Sequence, residues 1–275
     1  MTETAQGFGF HDHVCWAFDE PGEFHSPVMK FLTDGLAQGQ RVCYITSGDT
    51  KQWSKRLRSI DKHNGFGRKD ATQLLRLDEF YPGQMAAPVR HMEAFAAATE
   101  DALAAGFTGL RVAADATPLV RTSAQRDVFA RLDYLFDQYM IRRPLTGLCG
   151  FNRTELGQEA IAELACLHPT VHGVPPPFRL HASTDGAAAA LSGELDATSL
   201  RLFPMALRWA DPRPTDGELV IDATELTFID HRSLLALADH ARHWDATAVL
   251  LANLPGVARV IDIIDLDEVR VQVPT

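Results

Sequence analysis

The chain has 275 residues, 46% of them hydrophobic, and a formal net charge of −10 at pH 7. That length supports two domains with complete cores, while the acidic balance argues against docking on a phosphate backbone. No apolar run approaches a membrane span. The polar N-terminus, Met1 to Gly9, has no basic region leading into an apolar one, so neither a secretory leader nor a membrane anchor is expected, and the location is expected to be cytoplasmic.

Val14–Phe18 reads as the first strand, following His11-Asp12-His13. Phe24–Ala37 is predicted helical, with Val28, Phe31, Leu32 and Leu36 on one face and Gly39 just past its end. Arg41–Thr46 is the next strand, and Ser47-Gly48-Asp49-Thr50 caps a helix running through Ile60. Leu74–Leu77 reads as a strand, Met85–Ala105 as a long Ala-rich helix, and Gly109–Ala114 as a strand ending at Asp115. Gln125–Tyr139 is again helical, and Leu145–Phe151 is the last strand of this half, before Asn152-Arg153. This alternation predicts an α/β domain with a mainly parallel sheet covered by helices on both faces.

His172-Gly173-Val174-Pro175-Pro176-Pro177 marks a boundary, dividing the chain into domains 1–172 and 178–275 around a Pro-rich linker at 173–177. Consecutive prolines make a stiff spacer or simply an end to the first domain. Beyond it, Phe178–Ala182 and Ala187–Leu191 read as two short strands around the turn Ser183–Gly186. A buried strand from Leu219 then leads through a short connection to Asp230, a good N-cap for a helix from His231 to His243. That helix carries Leu234, Leu235, Leu237, Ala238 and Ala241 on one side. Thr247–Ala252 is a strand, Gly256–Ile264 a helix and Val269–Val273 a closing strand, making a second, small α/β domain. Residues 178–275 hold 8 arginines and no lysine against 15 acidic residues, a charge that suits a basic protein surface.

Cys15, Cys43, Cys149 and Cys166 lie far apart with no C-x-x-C, which argues for reduced core thiols. His11, His13, Cys15 and His25 fall within fifteen residues, and His-x-Cys on a strand shares one face. Their spacing matches no closed zinc site. A hydrogen-bonded core histidine beside a core cysteine is the simpler reading, and no metal or cofactor is assigned.

Three resemblances add to this. The run Phe31-Leu32, Gly35-Leu36, Gly39-Gln40 and Val42-Cys43-Tyr44-Ile45 resembles the helix and strand that follow the phosphate loop of RecA/KaiC-type ATPases. No Gly-Lys pair exists anywhere in the chain, and acidic residues stand where the loop belongs, so the fold is expected in a degenerate form without ATP hydrolysis. His13-x-Cys15, the same Phe31–Gly39 run, Gly109-Leu110-Arg111-Val112 with Asp115, and Leu148-Cys149-Gly150-Phe151-Asn152-Arg153 together resemble the MEDS domain. That is the methanogen/methylotroph sensory domain, a proposed small-molecule sensor, with Asp115 here where Glu is expected. The strand–Asp230–helix layout, with Ser192–Thr198 ahead of it, resembles the STAS domain of anti-sigma-factor antagonists. In that family a Ser directly after the Asp is the phosphoacceptor. Here the position is His231, followed by Arg232 and Ser233.

Ligands of parallel α/β sheets sit outside the carboxyl ends of the strands. The candidate ligand residues are therefore Asp19, Ser47, Asp115, Asn152 and Arg153, together with His13, Cys15 and Trp16 of the first strand. The plainer alternative is that Asp115 and Arg153 cap helices or pair with each other. Asp230, His231, Arg232 and Ser233 form the candidate partner-binding and switch position. These readings imply a non-enzymatic signalling protein in which a small-molecule sensor modulates a STAS output. The partner implied is an anti-sigma factor or a related kinase-like protein, with no nucleic acid and no membrane. The competing readings are an enzyme acting on a small metabolite in the N-terminal pocket and a metal- or haem-dependent sensor.

Overall fold

A computed structural model describes residues 8–9, 11–63, 70–80 and 88–274. Residues 1–7 and Met85, on which the absence of a leader and the start of the long helix were read, lie outside the described residues. The chain divides into two compact units, one of residues 1–161 with 170–174 and one of residues 162–169 with 175–275.

The first unit runs β1 (His13–Phe18), α1 (Pro21–Ala37), β2 (Arg41–Thr46), α2 (Thr50–His63), β3 (Thr72–Arg76), α3 (Leu77–Phe80), α4 (Pro88–Ala104) and β4 (Leu110–Asp115). A 3-10 turn at Thr117–Leu119 precedes α5 (Ser123–Met140), β5 (Leu145–Asn152), α6 (Arg153–Leu156), α7 (Gln158–Ala165), within which the second unit begins, and β6 (Thr170–His172). Six strands form one sheet in the order β3-β2-β4-β5-β1-β6. Every pairing in it is parallel. The mainly parallel α/β fold is as expected.

Several details differ from expectation: β3 ends at Arg76, so that Leu77 opens a short helix, and α6 and α7 follow β5. Leu145–Asn152 is not the last strand of the sheet, because Thr170–His172 pairs with Val14–Trp16 on its far side. Three residues are too few to display a period of two. Helix α1 also starts earlier, at Pro21, because Glu20 and Glu23 form a reciprocal capping box and proline is at home in a first helical turn.

Helices α1 and α2 cover one face. Phe24 stacks on Phe18 of β1 at 5.0 Å between ring centres, and Trp53 lies 4.0 Å from Tyr44 of β2. Gly150 of β5 makes room there, since a Cβ on it would stand 2.3 Å from the Phe24 ring. Helices α4 and α5 cover the other face, where Phe95 and Phe136 meet edge to face at 4.4 Å. These apolar contacts supply the main drive for burying both faces of the sheet.

The second unit contains β7 (Phe178–His181), β8 (Ala189–Leu195), α8 (Leu202–Ala210), β9 (Glu218–Asp222), β10 (Leu226–Ile229), α9 (His231–His243), β11 (Thr247–Leu251), α10 (Val257–Ile263) and β12 (Val269–Gln272). Its sheet has the order β10-β8-β9-β11-β12, with β7 antiparallel to β8. The hairpin, α9, β11, α10 and β12 are as read from the sequence, whereas α8 was not assigned there. The stretch before Asp230 is not a plain connection, because Leu226–Ile229 pairs with β8 as an edge strand. Thr227 and Phe228 both face solvent, which hid the strand's alternation. Residues 162–169 belong to this unit through the Leu180 N–H, which donates to the Cys166 carbonyl at 2.7 Å, and Arg179, which donates to the Pro169 carbonyl at 2.7 Å.

Candidate functional site

In the first unit, β1, β5 and α5 bring four polar side chains together under an otherwise apolar layer. His13 opens β1 and is fully buried. Asp133 and Asp137 lie one turn apart on α5, so both point from one helix face toward the sheet, and both are buried. Cys149 lies on β5, two residues past Gly147, the residue paired in register with His13.

His13 Nε2 is 3.2 Å from Asp133 Oδ1, and His13 Nδ1 is 3.2 Å from Asp137 Oδ1. The Cys149 thiol points at Asp133 Oδ1 at 3.7 Å. Burial opposes charge on the imidazole, but the Asp133 and Asp137 carboxylates outweigh it and hold the His13 pKa well above the ordinary histidine value. Burial and the neighbouring Asp133 charge push the Cys149 thiol up to about 11.

Beside this cluster lies a cavity of about 40 Å³, lined by Ile45, Val112, Ala114, Leu132, Phe136 and Leu148 among others, with His13, Asp133 and Cys149 at its polar corner. That volume exceeds a single water site and falls well short of the ~150 Å³ that takes up benzene. It suits a few waters or a ligand of a few heavy atoms.

The strand-end candidates make mostly local contacts, close to the plainer alternative of capping and pairing. Arg153, at the start of α6, makes a two-pronged ion pair with Asp19, just beyond β1. That Arg153 contact is the first cause lowering the Asp19 pKa. Asn152 caps α6 by accepting from the Glu155 N–H at 2.9 Å. Asp115 turns back to accept from the Thr117 N–H at 3.2 Å, and burial raises its pKa. Ser47 is exposed beyond β2. These groups therefore largely cap and pair with one another, with Asp19 rather than Asp115 as the partner of Arg153.

The three β1 candidates separate as well. His13 and Cys15 face α5, whereas Trp16 faces the opposite side and stacks on His172 at 4.4 Å. His13 also stands at the start of β1 and Asp19 beyond its end, roughly 20 Å apart along a strand. The structure thus joins His13 to Asp133, Asp137 and Cys149, not to the strand-end carboxylates. Two signals in the sequence mark this: acids at i and i+4 among Phe129, Leu132, Phe136 and Met140, and a cysteine inside the run Leu148-Cys149-Gly150.

In the second unit, Asp230 caps α9 as expected, accepting from the Ser233 N–H at 2.8 Å. His231 and Arg232 are exposed, while Ser233 is buried. Leu235 lies one turn beyond His231 and is 44% exposed, and Phe228 of the preceding strand is 49% exposed.

The first unit is thus a parallel α/β sheet covered on both faces, with a small, largely apolar cavity that has a polar corner. Residues 12–169 match the family of the methanogen/methylotroph, DcmR sensory domain, known as MEDS, and the chain belongs to that family. The family places it among sensory, signal-transducing proteins. No curated protein matches the chain. None of its described helices is long and apolar enough to cross a membrane.

Proposed function

We propose that this chain is a non-enzymatic signalling protein. In it the MEDS domain takes up a small, mainly apolar ligand in the cavity beneath α4 and α5, and a STAS-like second unit passes the signal to a protein partner. The cavity with its His13–Asp133–Cys149 corner is the observation that carries the sensory half. The strand-end residues Asp19, Ser47, Asp115, Asn152 and Arg153, with Cys15 and Trp16, then frame the domain rather than grip the ligand.

Support for the output half comes from the hairpin followed by alternating helices and strands, and from Asp230 at the head of α9. Phe228, His231, Arg232 and Leu235 give this end an exposed apolar and titratable surface, and the acidic residues of 178–275 suit a basic face on an anti-sigma factor or kinase-like protein. With Ser233 buried and histidine in the usual phosphoacceptor place, control falls to the sensory domain instead of a serine kinase.

The test is capture from extracts of the source cell, with mass spectrometry of retained proteins and small molecules. Wild-type chain is expected to retain an anti-sigma-factor-type or kinase-like protein, His231→Asp to lose it, and His231→Ala to weaken it less. Filling the cavity with Ala114→Leu is expected to remove the retained small molecule. A wild-type chain that retains neither sinks the reading.

A further inference from the structure

We propose that His13, Asp133 and Cys149 form a binding site for one divalent transition metal of the zinc type, with Asp137 orienting the histidine. The ligand atoms of these three residues lie within 4.8 Å of one another and come from three elements of one unit, β1, α5 and β5. An imidazole, a carboxylate and a thiol are the mixed nitrogen, oxygen and sulfur set that such metals select over calcium or magnesium.

The distances agree with that use. Bonds of about 2.0 Å from nitrogen and oxygen, about 2.3 Å from sulfur and tetrahedral angles place nitrogen and oxygen donors about 3.3 Å apart, and oxygen and sulfur donors about 3.5 Å apart. The structure has 3.2 Å from His13 Nε2 to Asp133 Oδ1, and 3.7 Å from Cys149 Sγ to Asp133 Oδ1. Two of the three separations thus match a shared ion, and the third, between His13 and Cys149, lies within 4.8 Å.

Asp137 gives the histidine its role. When His13 Nδ1 carries the proton and donates it to Asp137 Oδ1 at 3.2 Å, the Nε2 lone pair faces Asp133. This carboxylate–histidine arrangement is the one that fixes tautomer and ring direction at metal sites. Two carboxylates, one imidazole and one thiol also remain net negative even with the imidazole protonated, and a divalent ion offsets both carboxylates in a buried setting. On binding, the Cys149 thiol gives its proton to solvent.

Metal binding here is independent of the sensory reading, because the measurement is spectroscopic and does not involve signalling. The full chain, treated with chelator and then given one equivalent of cobalt(II), is expected to bind one ion, with a thiolate-to-cobalt charge-transfer band and the intense visible bands of four-coordinate cobalt. Zinc(II) is expected to displace it. Cys149→Ser should abolish the charge-transfer band with circular dichroism unchanged, and Cys15→Ser, on the same sheet face, should keep it. Asp137→Asn should keep the band and weaken binding about 10–100-fold. A natively folded chain that binds neither cobalt nor zinc at micromolar concentration overturns the proposal, as does a thiolate band that survives in Cys149→Ser. Should Cys149→Ser not fold, cadmium NMR of the wild-type chain decides: a one-sulfur shift supports the site, and a shift for oxygen and nitrogen donors alone overturns it.

Discussion

Arg111 sits at the centre of the first unit with no exposure to solvent, and its surroundings show how a cation survives there. Its guanidinium donates to Gln40 Oε1 at 2.6 Å, Gln38 Oε1 at 3.0 Å and the carbonyls of Phe31, Phe8 and Gly9. Burial still lowers its pKa to about 10, so it remains charged at neutral pH. Gly35 of α1 is small because the Arg111 side chain occupies its Cβ position, with Cδ at 2.6 Å. Gly35→Ala gains about 1 kcal/mol of helix propensity but pushes against a side chain that its acceptors hold in place. We expect a net loss of about 1–2 kcal/mol in chemical unfolding, roughly the remainder after the usual overpacking cost. Asp115 behaves oppositely. Burial, against its Thr117 hydrogen bonds, raises its folded-state pKa above the unfolded value of about 3.9. The fold therefore loses stability as pH rises from that point through the folded pKa. Asp115→Asn keeps an oxygen for the Thr117 N–H, so it should raise the melting temperature at pH 7, and the gain should vanish below about pH 4. Thermal melts across that range check the sign. Gly35 and Arg111 stood in motifs read from the sequence, whereas Asp133 and Asp137 were not singled out there. What joined each pair to its partners was the register of non-adjacent elements, which local pattern does not encode.

Length alone did not decide which elements the sequence revealed: the four-residue β7 was read, whereas α7 and the nine-residue α8 were not. Helix α9 displays Leu234, Leu237, Ala238 and Ala241 as one buried stripe under an acidic cap. Strands β6 and β10 have three and four residues, and their membership comes from pairing with β1 and β8 alone. The cap itself is testable. Asp230→Ala removes the acceptor of the Ser233 N–H and should cost about 1 kcal/mol, whereas Asp230→Asn should cost much less. Chemical unfolding of the full chain measures both. Burial of Ser233 against the body of its own unit carries a further expectation: phosphate should be absent from it in natively folded protein, as read by mass spectrometry of intact chain.

At the scale of the molecule, the sequence placed the division at the prolines, and the contacts place residues 162–169 with the residues that follow them. Cys166 and Pro169 accept hydrogen bonds from Leu180 and Arg179, so a fragment of 178–275 leaves those donors without these acceptors. A fragment of 158–275, which keeps α7 whole, should unfold cooperatively and at a higher temperature than 178–275. Equal melting temperatures would show that the segment adds nothing to the second unit.

The strand order also sets a timetable for synthesis. Among the described strands of its sheet β1 is made first, yet both its neighbours, β5 and β6, lie more than a hundred residues later. At ordinary elongation rates of about 5–20 residues per second, Val14, Cys15 and their neighbours wait on the order of ten seconds for a partner. During that wait an apolar strand has both edges open, the condition that invites pairing with other chains. Nascent chains halted before Leu145 should therefore lean on chaperones, and slower translation upstream of β5 should lower the yield of soluble protein.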